Sequence, residues 1–185
     1  MYWFLPLAIM TSFFYLGSEM TKRIIFTLLA TLTFNIGFAQ MKNDIAALLA
    51  AACKVKNSKD ITAGKGAKIL IAEGSSVLPA LSLFFSDTTL TEVNSGCQGR
   101  ILNKGEIAMI IADRIEMMPY STLTGIQNCL MEFCEGNPNL IEYYFNFIKR
   151  DGVEKFQKRY VDWLNSDDRK KWLSHISHRK SKKRA

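Results

Sequence analysis

The stretch Met20–Gln40, MTKRIIFTLLATLTFNIGFAQ, decides how much of the chain has to fold. Lys22 and Arg23 form a positive n-region and Ile24–Ile36 is an almost unbroken apolar run. Gly37-Phe38-Ala39 ends in the small residue that a signal peptidase requires. The pattern is that of a secretory signal peptide (20–39), cleaved after Ala39 to leave Gln40 first. Ahead of it, Tyr2–Gly17 is a second apolar run, with Pro6 inside it and no charge before Glu19. It falls short of the roughly 20 residues that a helix needs to span a bilayer. Two readings of 1–19 stay open: an extension upstream of a true start at Met20, or a hydrophobic anchor that keeps the chain on the membrane. Cys53 lies too far downstream of the cleavage site for a lipoprotein.

The remainder is one domain's length and buries enough surface to fold without a metal or a disulfide. It nevertheless carries four cysteines, Cys53, Cys97, Cys129 and Cys134. An even number in an exported chain suggests disulfides, in one of three connectivities, with buried free thiols as the alternative. The net charge of +7 is local. Of 24 basic residues, eight fall in 169–185, leaving sixteen against 17 acidic residues over 1–168. The body is near neutral and the basic tail (178–185) closes the chain. Such a tail is either a solvated terminus or a weak contact for an anionic membrane surface. Nucleic acid is not an expected partner of an exported protein.

Capping residues and helical spacing divide 41–177 into amphipathic helices. Ile45, Leu48, Leu49, Ala52 and Cys53 make one stripe over 41–56. Gly64-Lys65-Gly66 lacks the remaining glycines and the Lys-Ser/Thr pair of a phosphate loop, so it reads as a turn, and no cofactor is expected. Three sites have the spacing of a capping box: Asn103 with Glu106, Thr124 with Gln127, and Asp151 with Glu154. They would open helices bearing Ile107, Ile110, Ile111, Ile115 and Met118, then Ile126, Cys129, Leu130, Phe133 and Cys134, then Val153, Phe156, Tyr160 and Leu164. Between the second and third, Asn137 with Pro138 would start another helix over 138–149. Gln98-Gly99-Arg100 reads as a tight turn or small hairpin. The expected class is all-α, a compact multi-helix domain with short capped turns.

Val77-Leu78-Pro79-Ala80-Leu81-Ser82-Leu83-Phe84-Phe85-Ser86-Asp87, followed by Ile107-Ala108-Met109-Ile110-Ile111-Ala112-Asp113-Arg114-Ile115, resembles one helical pair of a HEAT-type repeat protein over 70–118. The resemblance implies a HEAT-like helical pair and, by analogy, protein binding.

Little in the chain speaks for catalysis. His175 and His178 sit in the basic end and no carboxylate or thiol beside them completes a metal site. Asp113 with Glu116, and Glu132 with Glu135, lie off the apolar stripes, where a solvated face is the default. An envelope hydrolase using these carboxylates is the competing reading. Aromatic residues crowd the end of the chain. Tyr143-Tyr144-Phe145 and Phe147 exceed what one helix face can bury, so Tyr143, Phe147 and Trp163 form a candidate interaction face. The expectation is a non-enzymatic, exported binding protein of the periplasm or cell envelope. Its partner would be another protein, in the manner of inhibitors and immunity proteins.

On a continuous helix Cys129 and Cys134 would stand about 7.5 Å apart along the axis and point about 140° apart. That geometry prevents a bond between them, since bridged Cα atoms lie roughly 4.4–6.8 Å apart. Either one is therefore expected to bridge to another segment. Cys97, beside Gly96, is the leading partner and Cys97–Cys129 the leading pair, with Cys53 taking the remaining thiol or staying free.

Overall fold

Ile45, Leu49 and Ala52 bury one side of the helix over 40–52 (α1), as the 3.6-residue period demands. The computed structural model describes Ile24, residues 40–128 and residues 133–182. The chain divides into two units, Met1–Met41 and Lys42–Ala185, and nearly all described residues belong to the second. The signal segment and the apolar run before it fall outside the described residues, apart from Ile24. Among the described residues no helix is long and apolar enough to cross a membrane.

After α1 come a 3-10 turn at Ser58–Ala63 and helix α2, Lys65–Glu73. Gly64 is the turn that its sequence suggests, but Gly66 lies inside α2 and serves packing. A Cβ there would sit 2.1 Å from the Leu48 carbonyl oxygen of α1 and 2.8 Å from the Ala52 nitrogen. Gly74, at φ 68°, ends α2, and Gly74–Val77 winds as 3-10 into α3, Leu78–Ser82. Residues 90–103 then form an antiparallel hairpin, β1 (Leu90–Ser95) and β2 (Arg100–Asn103), turning at the small hairpin expected around Gln98-Gly99-Arg100. Ser95 faces Arg100 across it and a bulge lies between Leu90 and Asn94.

Helix α4, Lys104–Ile115, is the centre of the domain. Every residue from Gly105 to Ala112 is buried. Ala108, Met109 and Ala112 fill the sides that the isoleucine stripe leaves, and a helix apolar all round belongs inside. Its start is the expected capping box. The Asn103 side chain accepts from the Glu106 N–H at 2.8 Å, and Glu106 accepts from the Asn103 N–H at 2.9 Å. Glu106 also takes both guanidinium arms of Arg100, at 2.6 and 2.8 Å, which fastens the hairpin to the helix.

The other two boxes do not form. Thr124 is the last residue of α5 (Tyr120–Thr124), and Gly125, left-handed at φ 72°, stops the chain there. Residues 126–128 and 133–134 are not helical; residues 129–132 lie outside the described part. The expected helix over 126–134 is therefore absent at both ends. Asn137 starts no helix: its side chain accepts from the Asn139 N–H at 3.0 Å, an Asx turn. The segment over 138–149 becomes a 3-10 turn, Leu140–Tyr144, running into α6, Phe145–Asp151. Asp151 ends α6 and Gly152, at φ 101°, separates it from α7, Val153–Leu164. Asp151 binds Lys155 and Arg159 instead of capping. Helix α8, Asp167–Lys182, closes the described chain and carries helical backbone beyond residue 177. The class is mostly α-helical, as expected, with one small sheet added.

Gly66→Ala should lower the unfolding free energy by about 1–3 kcal/mol, because α1 and α2 must separate to admit the methyl group. Gly96→Ala, with open space around its Cβ, should stay within about 0.5 kcal/mol of the parent. Urea denaturation midpoints distinguish the two.

Candidate functional site

The turn of the hairpin carries Cys97 and Gln98, and both reach the segment that precedes α6. Cys97 is bonded to Cys134, with Cα atoms 5.9 Å apart and a separation of 37 positions in sequence. The leading pair Cys97–Cys129 is thereby corrected to Cys97–Cys134. The chain at Cys134 bends instead of winding as helix, which frees this thiol to meet the hairpin. Cys129 lies outside the described residues. Cys53 is free and half-buried at the end of α1. Burial pushes its thiol up to about 11, so it is a poor nucleophile at neutral pH.

Beneath the disulfide lies Glu142, entirely removed from solvent. Ser95 donates its hydroxyl to one carboxylate oxygen. Asn137 donates to the other at 2.9 Å, and Asn139 shares that oxygen at 3.4 Å. Gln98 donates to the Glu142 carbonyl. Asn139 also donates to the Ser58 carbonyl at 2.8 Å, and Asn137 to the Cys97 sulfur at 3.0 Å. Four segments meet here: the 58–63 turn, the hairpin, the 134–139 loop and the start of the 140–144 turn. Sequence reasoning missed this centre. Its one signal was an acid inside an otherwise apolar and aromatic run, Leu140-Ile141-Glu142-Tyr143-Tyr144-Phe145.

With Ile141, Glu142, Tyr144, Phe145 and Ile148 turned inward, Tyr143 and Phe147 are left half-buried. Their ring centroids are 5.5 Å apart, and Phe133, beside Cys134, stands edge-on to Tyr143 at 5.7 Å. The Arg150 guanidinium lies 5.3 Å over Phe147. Tyr143 meets Tyr144 edge-on at 5.1 Å, and Tyr144 stacks on Tyr120 at 4.5 Å. The result is a ledge of rings tied to the interior. Of the expected interaction face, Tyr143 and Phe147 are brought together, and Trp163 is not part of it. Trp163 is 5% exposed, packed 5.7 Å from Tyr160 in the core, because α7 turns that side inward.

Asp113 and Glu116, expected on a solvated face, are structural. Glu116 is 7% exposed and grips Arg169 of α8 through two hydrogen bonds of 2.7 Å. Asp113 accepts from the Met118 N–H at 2.9 Å and from the Tyr120 hydroxyl at 2.7 Å. Burial raises its carboxyl to about 6, against the pull of those hydrogen bonds and of Arg114. The same burial, with the neighbouring Asp113 charge, holds the Tyr120 phenol well above its ordinary value. Glu132 lies outside the described residues. Of His175 and His178 only the helical backbone is described. Among the described residues no group of three or more His, Cys, Asp or Glu is placed to hold a metal ion.

No family model matches this chain, and no match is found among curated proteins or among solved structures.

Non-reducing peptide mapping should recover Cys97 joined to Cys134. The Cys97→Ser, Cys134→Ser double variant should lose roughly 4 kcal/mol of stability, the chain-entropy value for a loop of this length. For Asp113 the sign follows from linkage. Its folded carboxyl keeps a proton to about pH 6 and its unfolded one only to 3.8, so the stability it contributes is present below 3.8 and lost as pH rises through 6. Unfolding free energies of Asp113→Asn and of the parent should therefore diverge, in the variant's favour, by roughly 2–3 kcal/mol between pH 4 and pH 7.

Proposed function

We propose that the chain is exported, loses its signal segment after Ala39, and works as a non-enzymatic binding protein of the periplasm or cell envelope. Its ledge of Phe133, Tyr143, Phe147 and Arg150 receives a protein partner. The disulfide is compatible with an oxidising, exported compartment. The observation that carries the binding reading is the ledge itself: aromatic rings and an arginine, half open to solvent, on a backbone held from behind by the Cys97–Cys134 bond and by Glu142. Residues of these types dominate binding energy, and a surface ordered in advance loses less entropy on association. Of the carboxylates that a hydrolase would use, Asp113 accepts from the Met118 N–H and the Tyr120 hydroxyl, and Glu116 from Arg169.

An affinity capture from envelope extract tests the reading. The Tyr143→Ala, Phe147→Ala double variant should bind the captured partner at least about tenfold more weakly, the equivalent of roughly 1.4 kcal/mol. Its thermal midpoint should stay close to the parent's. Undiminished capture by that variant, or turnover of an envelope substrate that Asp113→Asn abolishes, would overturn it.

A further inference from the structure

We infer that the mature chain begins with pyroglutamate, formed from Gln40. The inference rests on cleavage after Ala39. Removal of residues 1–39 makes glutamine the one residue with a free α-amino group beside its own side-chain amide. The amino nitrogen attacks Cδ, the new N–Cδ bond closes a five-membered lactam, the Cδ–Nε2 bond breaks, and Nε2 leaves as ammonia with a proton from the attacking amine. No oxidant, reductant or energy source enters the balance. Both reacting groups belong to one residue, so proximity favours the step.

The structure adds two conditions that favour it. Gln40 is exposed, within reach of solvent and of a cyclising enzyme. Gln40 and the residues up to 52 are also helical. After cleavage a protonated α-amine would stand at the start of that helix, where the backbone N–H groups already gather positive charge. Lys42 adds a further cation there and Asp44 is the only acid in the first turn. Cyclisation removes the terminal charge and leaves an amide that aminopeptidases do not open, a useful end for a protein that must last outside the cytoplasm.

The full chain is expressed in its own host, cells are quenched in acid, and the N-terminal peptide is sequenced by tandem mass spectrometry and by Edman chemistry. The expected peptide starts at Gln40, is lighter by one ammonia, and yields no Edman cycle until pyroglutamyl aminopeptidase exposes Met41. Gln40→Ala should restore an open amine at the same position. An open Gln40, or a lactam that appears only on storage in the tube, overturns the inference and leaves the export reading standing. A chain still starting at Met1 or Met20 overturns both.

Discussion

Glu142 is an acidic side chain with no exposure to solvent, and such a group costs several kcal/mol unless donors replace its water. Here Ser95 of the hairpin and Asn137 and Asn139 of the 134–139 loop do so, two stretches distant in sequence. Each brings its segment along, since a donor that lost the carboxylate would itself be buried and unpaired. The hairpin, the 134–139 loop and the turn that becomes α6 are therefore located by one side chain. The disulfide acts on the same pair of segments by a different route, shortening the reach of the unfolded chain between Cys97 and Cys134. The polar cluster fixes geometry in the folded state and the covalent bond limits the alternatives to it.

The ledge follows from that placement. Once Glu142 and Tyr144 point inward, the residues between and beyond them have to point out. Tyr143 and Phe147 are displayed because their neighbours are committed. Phe133 joins them because Cys134 is pinned beside it. An arginine over the outermost ring keeps its charge in water and its plane on the aromatic face.

Local chemistry made part of this legible in the sequence. Asn103 and Glu106 close a capping box because nothing between them or just before them breaks the helix. Thr124 with Gln127 and Asp151 with Glu154 share the spacing and fail for one reason: glycine stands directly after the would-be cap. Gly125 and Gly152 adopt positive φ, so the chain leaves the preceding helix there and the first member of each pair is spent at a C-terminus. The isoleucines of α4 announced a buried face, yet only the neighbours packed around the helix show that it is buried on every side. The bridge to Cys134, the inward turn of Trp163 and the depth of Glu142 depend on contacts between distant segments. No periodicity encodes those, and a lone acid among aromatics is easily read as surface.

The two acids at the end of α4 show how context divides identical chemistry. Glu116 reaches Arg169 in a two-armed pair and so joins the end of α4 to α8. Asp113, three residues earlier, has neutral donors in Met118 and Tyr120, with Arg114 on the charged side and the phenols of Tyr144 and Tyr160 near by. Burial outweighs those donors and holds the carboxyl above its ordinary value, at about 6. Tyr120 links this group to Tyr144, and Tyr144 to the ledge. The charge on Asp113 therefore bears on the stability of the interior directly, and on the exposed rings only through two stacked tyrosines. The ledge is thus supported from within by a group whose ionisation strains the fold, while its covalent staple and its Glu142 anchor stand apart from that group.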